Sequence, residues 1–242
     1  MNSNRRKFLK STALFSAALL CGHHTCARAK DAPRACSLRG GLQANGIDDL
    51  YRTSGNSDLD RSINLELTHV ADSFNLLPGF GFCDDNNAFA TPETWIPNTK
   101  GTVVFGKQLL SDELLLNEWG GLAVAGIIAH EFGHIFQYQS EFYQLLTQSQ
   151  TTHRLLELHA DYLAGYYLGL KRLRSGEIDI KGFLDSLYLK GDTHFNSPTH
   201  HGTPIERAKV MLEGYKIGLT NNNNIQQVAE TGMNLVFTND LT

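Results

Sequence analysis

Proline, cysteine and long apolar runs are all scarce in this chain of 242 residues, and each scarcity narrows what it can be. With 6 Pro and 22 Gly, and 41% hydrophobic against 19% charged residues, it has the make-up of a globular domain, not of collagen or a disordered segment. No apolar run reaches the ~18 residues that a membrane-spanning helix needs, so no integral membrane span is expected. Acidic residues are missing from positions 1–29, which hold five of the 21 basic ones (Arg5, Arg6, Lys7, Lys10 and Arg28). Residues 30–242 therefore carry 16 basic against 25 acidic residues, a net charge of −9. That balance argues against nucleic acid or an anionic membrane surface as the main partner. Of the 4 Cys, only Cys36 and Cys83 lie beyond residue 29, and neither stands at metal-ligand spacing.

The first 29 residues have the layout of a secretory signal. A positive head, NRRKFLK at 4–10, precedes the apolar TALFSAALL at 12–20 and the small-residue site Ala27-Arg28-Ala29. The RRKFLK string resembles the twin-arginine export signal, with Asn4 where Ser or Thr is usual. The resemblance implies export by the twin-arginine machinery to the periplasm, in the folded state, and a mature chain beginning near Lys30. In that oxidising compartment a Cys36–Cys83 disulfide would contribute ~3–4 kcal/mol. Spacing alone leaves both a disulfide and two buried thiols open.

The mature chain divides into an irregular lead-in segment (30–56), one domain (57–220) and a C-terminal tail (221–242). Ser57 can cap a helix over 58–77, on which Ile63, Leu67, Val70, Phe74 and Leu77 form one apolar face before Pro78-Gly79 ends it. Residues 80–106 read as a small β-region, with a turn at 98–101 and a strand at 102–105. Helical patterns follow at 114–139, 152–171 and 178–189. The 114–139 pattern holds LAVAGII, apolar nearly all round and so central. A last clear helix opens with a Thr203 cap, Pro204 in first place and Glu206 in third. The asparagine run at 221–224 marks a loop before a weak tail. The fold class expected is α+β, rich in α.

His130-Glu131-Phe132-Gly133-His134 is the sharpest feature. Two His four apart on a helix differ by ~40° around its axis, so both imidazoles can grip one ion. Glu131 is rotated ~100° from His130 and can face a water on that ion. With ten His and eleven Glu in the chain, chance yields about 0.02 such strings. Zinc suits the pair: it takes imidazole nitrogen, leaves a fourth place open, and acidifies its water for a neighbouring carboxylate to deprotonate. The third ligand expected is Glu157, from ELHAD at 157–161, with Asp161 one turn on as the carboxylate that orients a ligand His. A helix ending near Gln139 and another starting near Thr152 would pack antiparallel with Glu157 level with His134. One unbroken helix through Leu146 would misplace Glu157 by ~10 Å. His153, one turn before Glu157, is a rival ligand. His159 points off that face and reads as a surface or packing histidine. Gly133 permits close approach of another element.

HExxH on one helix and Glu-x-x-Ala-Asp on the next resemble the gluzincin zinc metallopeptidases, most of all the HtpX and CAAX prenyl endopeptidase family and its soluble minigluzincin relatives. NAFATP at 87–92 and TVVFGKQLL at 102–110 resemble the strand segment before the catalytic helix of that family. The resemblance implies that Val103, Val104 and Phe105 form an edge strand over the metal cleft and pair with substrate backbone. THHGTPIER at 199–207 resembles the later segment with His six residues before Arg, which selects His201 and Arg207. The chain departs from the family in the insert PETWIPNTKG and in Gly rather than Pro after His201, a Gly shared with the neutral zinc metallopeptidases. His201 precedes a helix N-terminus and could donate to an oxyanion, with His200 as the alternative register. The expected function is that of an exported zinc endopeptidase with one Zn2+ per chain, protein or peptide substrates, and Glu131 as general base. A chaperone-like or assembly module with structural zinc is the alternative, and a zinc hydrolase acting on non-peptide substrates stays open.

Overall fold

The computed structural model describes residues 46–116, 120–148, 150–191, 200–221 and 224–238. The expected signal, its cleavage site, Cys36 and most of the lead-in segment lie outside these residues. Asn56, not Ser57, opens the first helix, α1 (Ser57–Phe74): its side chain accepts from the amides of Asp58 and Leu59. Asn is as good a cap as Ser, and here it stands one residue nearer the turn. Asn75, in the left-handed conformation at φ 50°, closes the helix. Leu77, expected on the apolar face, therefore falls beyond the helix and is exposed, while Ile63, Val70 and Phe74 are buried.

Three short strands follow, β1 (Gly79–Cys83), β2 (Ala88–Thr91) and β3 (Thr102–Gly106). Their order is β1-β3-β2, with β3 parallel to β1 and antiparallel to β2. The strand at 102–105 is thus the centre of the sheet and not an edge, which corrects the expectation for Val103, Val104 and Phe105. Both sides of its backbone are already paired and all three side chains are buried. A strand covered on both faces reads as an unbroken apolar run, which TVVF is. The expected turn is present, with Asn98 and Gly101 at φ 64° and 74°. The insert PETWIPNTKG connects β2 to β3. Within it the amide of Trp95 donates to Thr102 Oγ1 (3.0 Å), and its ring packs on Phe89.

The pattern at 114–139 proves to be parts of two helices, α2 (Lys107–Leu116) and α3 (Gly120–Tyr138). A Cβ on Gly120 would stand 2.2 Å from the carbonyl oxygen of Glu113, so only glycine fits this corner. From Leu122 to Gln137 every residue is buried, as a helix apolar all round requires. The chain breaks after Tyr138, as the ligand geometry demanded, and continues through α4 (Phe142–Thr147), α5 (Arg154–Ser175), α6 (Lys181–Lys190) and α7 (Pro204–Thr220). The Thr203–Glu206 capping box of α7 forms as expected. The weak tail after 221 is corrected to a helix, α8 (Ile225–Phe237), which buries Val228, Ala229, Gly232 and Val236. Among the described residues the architecture is α-rich with one three-stranded sheet, in keeping with α+β. No helix among the described residues is long and apolar enough to cross a membrane.

Two contacts fix the helices that matter most. Helices α5 and α7 meet backbone to backbone through Gly165 and Gly169 on one and Gly214 and Gly218 on the other. A Cβ on Gly214 would lie 1.9 Å from the Tyr162 carbonyl oxygen, and one on Gly165 2.0 Å from that of Met211. At their N-terminal ends Arg154 pairs with Glu206, the same carboxylate that completes the α7 capping box. Helix α3 crosses α5 at Gly133, where a Cβ would approach Ala160 Cα to 3.3 Å, the close approach expected of that glycine.

Candidate metal centre

His130 and His134 stand one turn apart on α3, and the short α4 connection returns the chain so that Glu157 on α5 faces them. Their Nε2 atoms are 3.1 Å apart. Glu157 Oε2 lies 3.4 Å from His130 Nε2, and its Oε1 lies 3.5 Å from His134 Nε2. All three residues are buried, and together they form a group able to hold a metal ion. His153 sits at the N-terminus of α5, outside this group.

Hydrogen bonds behind the imidazoles set which nitrogen faces inward. His130 Nδ1 is 2.9 Å from Asp161 Oδ1. Asp161 accepts in turn from Arg207, whose Nε and Nη2 lie 2.6 and 2.9 Å from its two oxygens. His134 Nδ1 is 2.9 Å from Gln137 Oε1. Both Nδ1 atoms face acceptors and so carry the hydrogens, which leaves both Nε2 lone pairs aimed at the same point as Glu157. Ligands ~2.0–2.2 Å from a tetrahedral zinc are spaced roughly 3.3–3.6 Å from one another. The two Nε2 atoms, 3.1 Å apart, stand slightly closer than that, and each faces a different oxygen of Glu157 at 3.4 and 3.5 Å. The three side chains thus converge on one point that a metal ion could occupy; two imidazoles and one carboxylate are a donor set that zinc accepts.

The electrostatics agree. Burial opposes charge on His130, yet Asp161 and Glu157 outweigh it and raise its pKa to about 10, so this point favours a positive charge. Burial, with His130 beside it, lowers the pKa of His134 despite Glu157. Burial alone would raise Glu157, but His134, His201 and His130 around it hold it well below the ordinary carboxylate range. Glu131 is enclosed beside the ligands, and neither of its carboxyl oxygens has a hydrogen-bond partner. Burial pushes its pKa up to about 8, with His130 and Glu157 acting in opposite directions.

His201 Nδ1 lies 3.4 Å from Glu157 Oε2, so it is this histidine of the 200–201 pair that meets the ligand carboxylate. Gly202 behind it has φ 92°, closed to proline, which is fixed near −65°. The Gly that departs from the prenyl endopeptidases thus has a backbone reason. Strand β3 brings none of Val103, Val104 or Phe105 to the surface of this site; the strand lying against α3 at the sheet margin is β2.

Two residues of the site lay beyond the motif. His159, expected as a surface or packing histidine, is fully buried. Its Nδ1 lies 3.0 Å from Gln137 Nε2, its Nε2 lies 2.9 Å from the carbonyl oxygen of Ala229, and its ring stacks on Phe142. Gln137 is three residues past His134, on the same helix face, a spacing that could have flagged it. Comparison with protein-family models, curated proteins and solved structures finds no match for this chain.

Proposed function

We propose that this chain is an exported zinc endopeptidase of the gluzincin type. One observation carries the reading: ligand atoms of His130, His134 and Glu157 lie within 4.8 Å of one another, and a buried carboxylate without a hydrogen-bond partner, Glu131, stands beside them. His130, His134 and Glu157 would hold one zinc ion. When bound, zinc supplies a Lewis acid that polarises a carbonyl and lowers the pKa of water towards 7. Glu131 takes a proton from the attacking water as the water oxygen bonds to the peptide carbon. It returns that proton to the nitrogen as the C–N bond breaks. Its buried position favours holding the proton in between, while a dication beside it keeps the carboxylate accessible at neutral pH. His201 donates a hydrogen bond to the developing oxyanion. Asp161, braced by Arg207, orients His130. Backbone pairing with an extended substrate passes from β3 to β2, because β1 is already bridged on its outer side by Tyr51 to Phe82. Twin-arginine export, a periplasmic site of action and processing near Lys30 belong to the same proposal and rest on the 1–29 string.

The test uses processed protein purified without chelators. Elemental analysis should find one zinc per chain, casein should be degraded, and a chelator should stop it. Glu131→Gln should keep the metal and lose at least about 100-fold in rate. Absence of stoichiometric metal, or a Glu131→Gln protein as fast as wild type, overturns the reading. A module with structural zinc would show the metal without the hydrolysis.

A further inference from the structure

Two backbone carbonyls determine the protons of a buried chain running from α8 to the metal site. A carbonyl only accepts. Leu156 O lies 2.9 Å from one end of the Gln137 amide, so that end is the NH2. The other end is then the oxygen, and His134 Nδ1, 2.9 Å away, must carry a hydrogen. Ala229 O lies 2.9 Å from His159 Nε2, so that nitrogen also carries a hydrogen. A neutral His159 then presents an Nδ1 lone pair, which accepts the second Gln137 N–H at 3.0 Å. Only one proton arrangement satisfies every group, and it leaves the His134 Nε2 lone pair pointing at Glu157 and His130.

We infer that α8 is a working part of the metal centre: the Ala229 carbonyl, through His159 and Gln137, holds His134 in the one tautomer that can bind metal. The inference rests on the zinc-peptidase reading and adds two positioning residues, Gln137 and His159, to it. The two imidazole ligands are braced differently. His130 has a charged Asp161–Arg207 pair behind it, and His134 has a neutral amide and imidazole. All members of the neutral chain are enclosed, so losing one strands a buried donor or acceptor rather than handing it to water.

The test measures zinc affinity of the full chain by competition with a chromophoric chelator, independent of activity. Outer partners of metal-binding histidines typically contribute 10–100-fold to affinity. Gln137→Leu and His159→Leu should each weaken zinc binding by about that factor. His159→Asn, whose Oδ1 can take the place of Nδ1, should restore it to within about threefold. The inference is overturned if His159→Leu binds zinc within twofold of wild type, or if His159→Asn does no better. Should the leucine variants fail to fold, long-range 1H–15N spectra of wild-type protein with labelled histidine decide: His134 must carry its hydrogen on Nδ1 and His159 on Nε2. The opposite tautomer at either position overturns the inference. A wild type that binds zinc while the variants do so equally defeats only this inference; a wild type that binds no zinc defeats the zinc-peptidase reading itself.

Discussion

Replacing Gly214 by alanine adds one methyl group at the tightest point of the α5–α7 contact. That Cβ would lie 1.9 Å from the Tyr162 carbonyl oxygen, whereas ordinary contact begins near 3.4 Å, so the helices must part by about 1.5 Å there. Neither partner atom belongs to a side chain that can rotate away. Parting also opens the neighbouring contacts at Gly165 and Gly218, and a gap of 0.5–1 Å already forfeits a quarter to a half of each contact. Overpacking of this kind costs ~1–3 kcal/mol and more where backbone must move, while alanine returns ~1 kcal/mol of helix propensity. Because backbone must move, the upper end applies and the expected net loss is ~2 kcal/mol, a fall in Tm of roughly 4–8 °C for a chain of this size. Tyr162 follows Asp161, so the shift also carries the His130 brace and Glu157 out of register, and zinc affinity should fall with stability. Calorimetry and chelator competition on wild type, Gly214→Ala and Gly46→Ala check this; a Cβ on Gly46 meets nothing within 4 Å. A Gly214→Ala protein melting with wild type refutes the packing argument, and a low Tm with unchanged zinc affinity refutes the link to the site.

Other expectations follow from named contacts. Arg207→Met strands Asp161 as a buried carboxylate and should cost about 3–5 kcal/mol in urea denaturation, part of it recovered by adding Asp161→Asn. Burial alone would raise the pKa of Glu206, but Arg154 and the Thr203 cap outweigh it and lower it. The stabilisation is therefore complete above the unfolded value near 4.5 and is lost as pH falls through the folded value. Glu206→Gln should flatten the drop in Tm between about pH 5 and pH 3 and leave the slope above pH 5 alone. Burial first, then Asp85 and Asp84, push the Cys83 thiol up to about 11. In reduced native protein it should alkylate at pH 8 far more slowly than in urea, and equal rates would contradict its burial.

The candidate metal-holding group was legible because helix geometry is strict. A four-residue step fixes His130 with His134, and requiring Glu157 to come level with them forces the break after Tyr138. The Thr203–Pro204–Glu206 start was legible because a cap is a local device. The strand order was not, since TVVF states that β3 is enclosed but not which neighbours enclose it. Helix α8 was hidden behind four asparagines, although Val228, Gly232 and Val236 repeat at steps of four. Gln137 and His159 were missed because their role lies in partners far along the chain, Leu156 O and Ala229 O, which no spacing rule connects to HExxH.

Every residue that would grip the ion has been synthesised by position 157, yet the helix whose Ala229 carbonyl completes the His134 side is the last described in the chain. A nascent or prematurely terminated copy would hold the right side chains and still bind metal poorly.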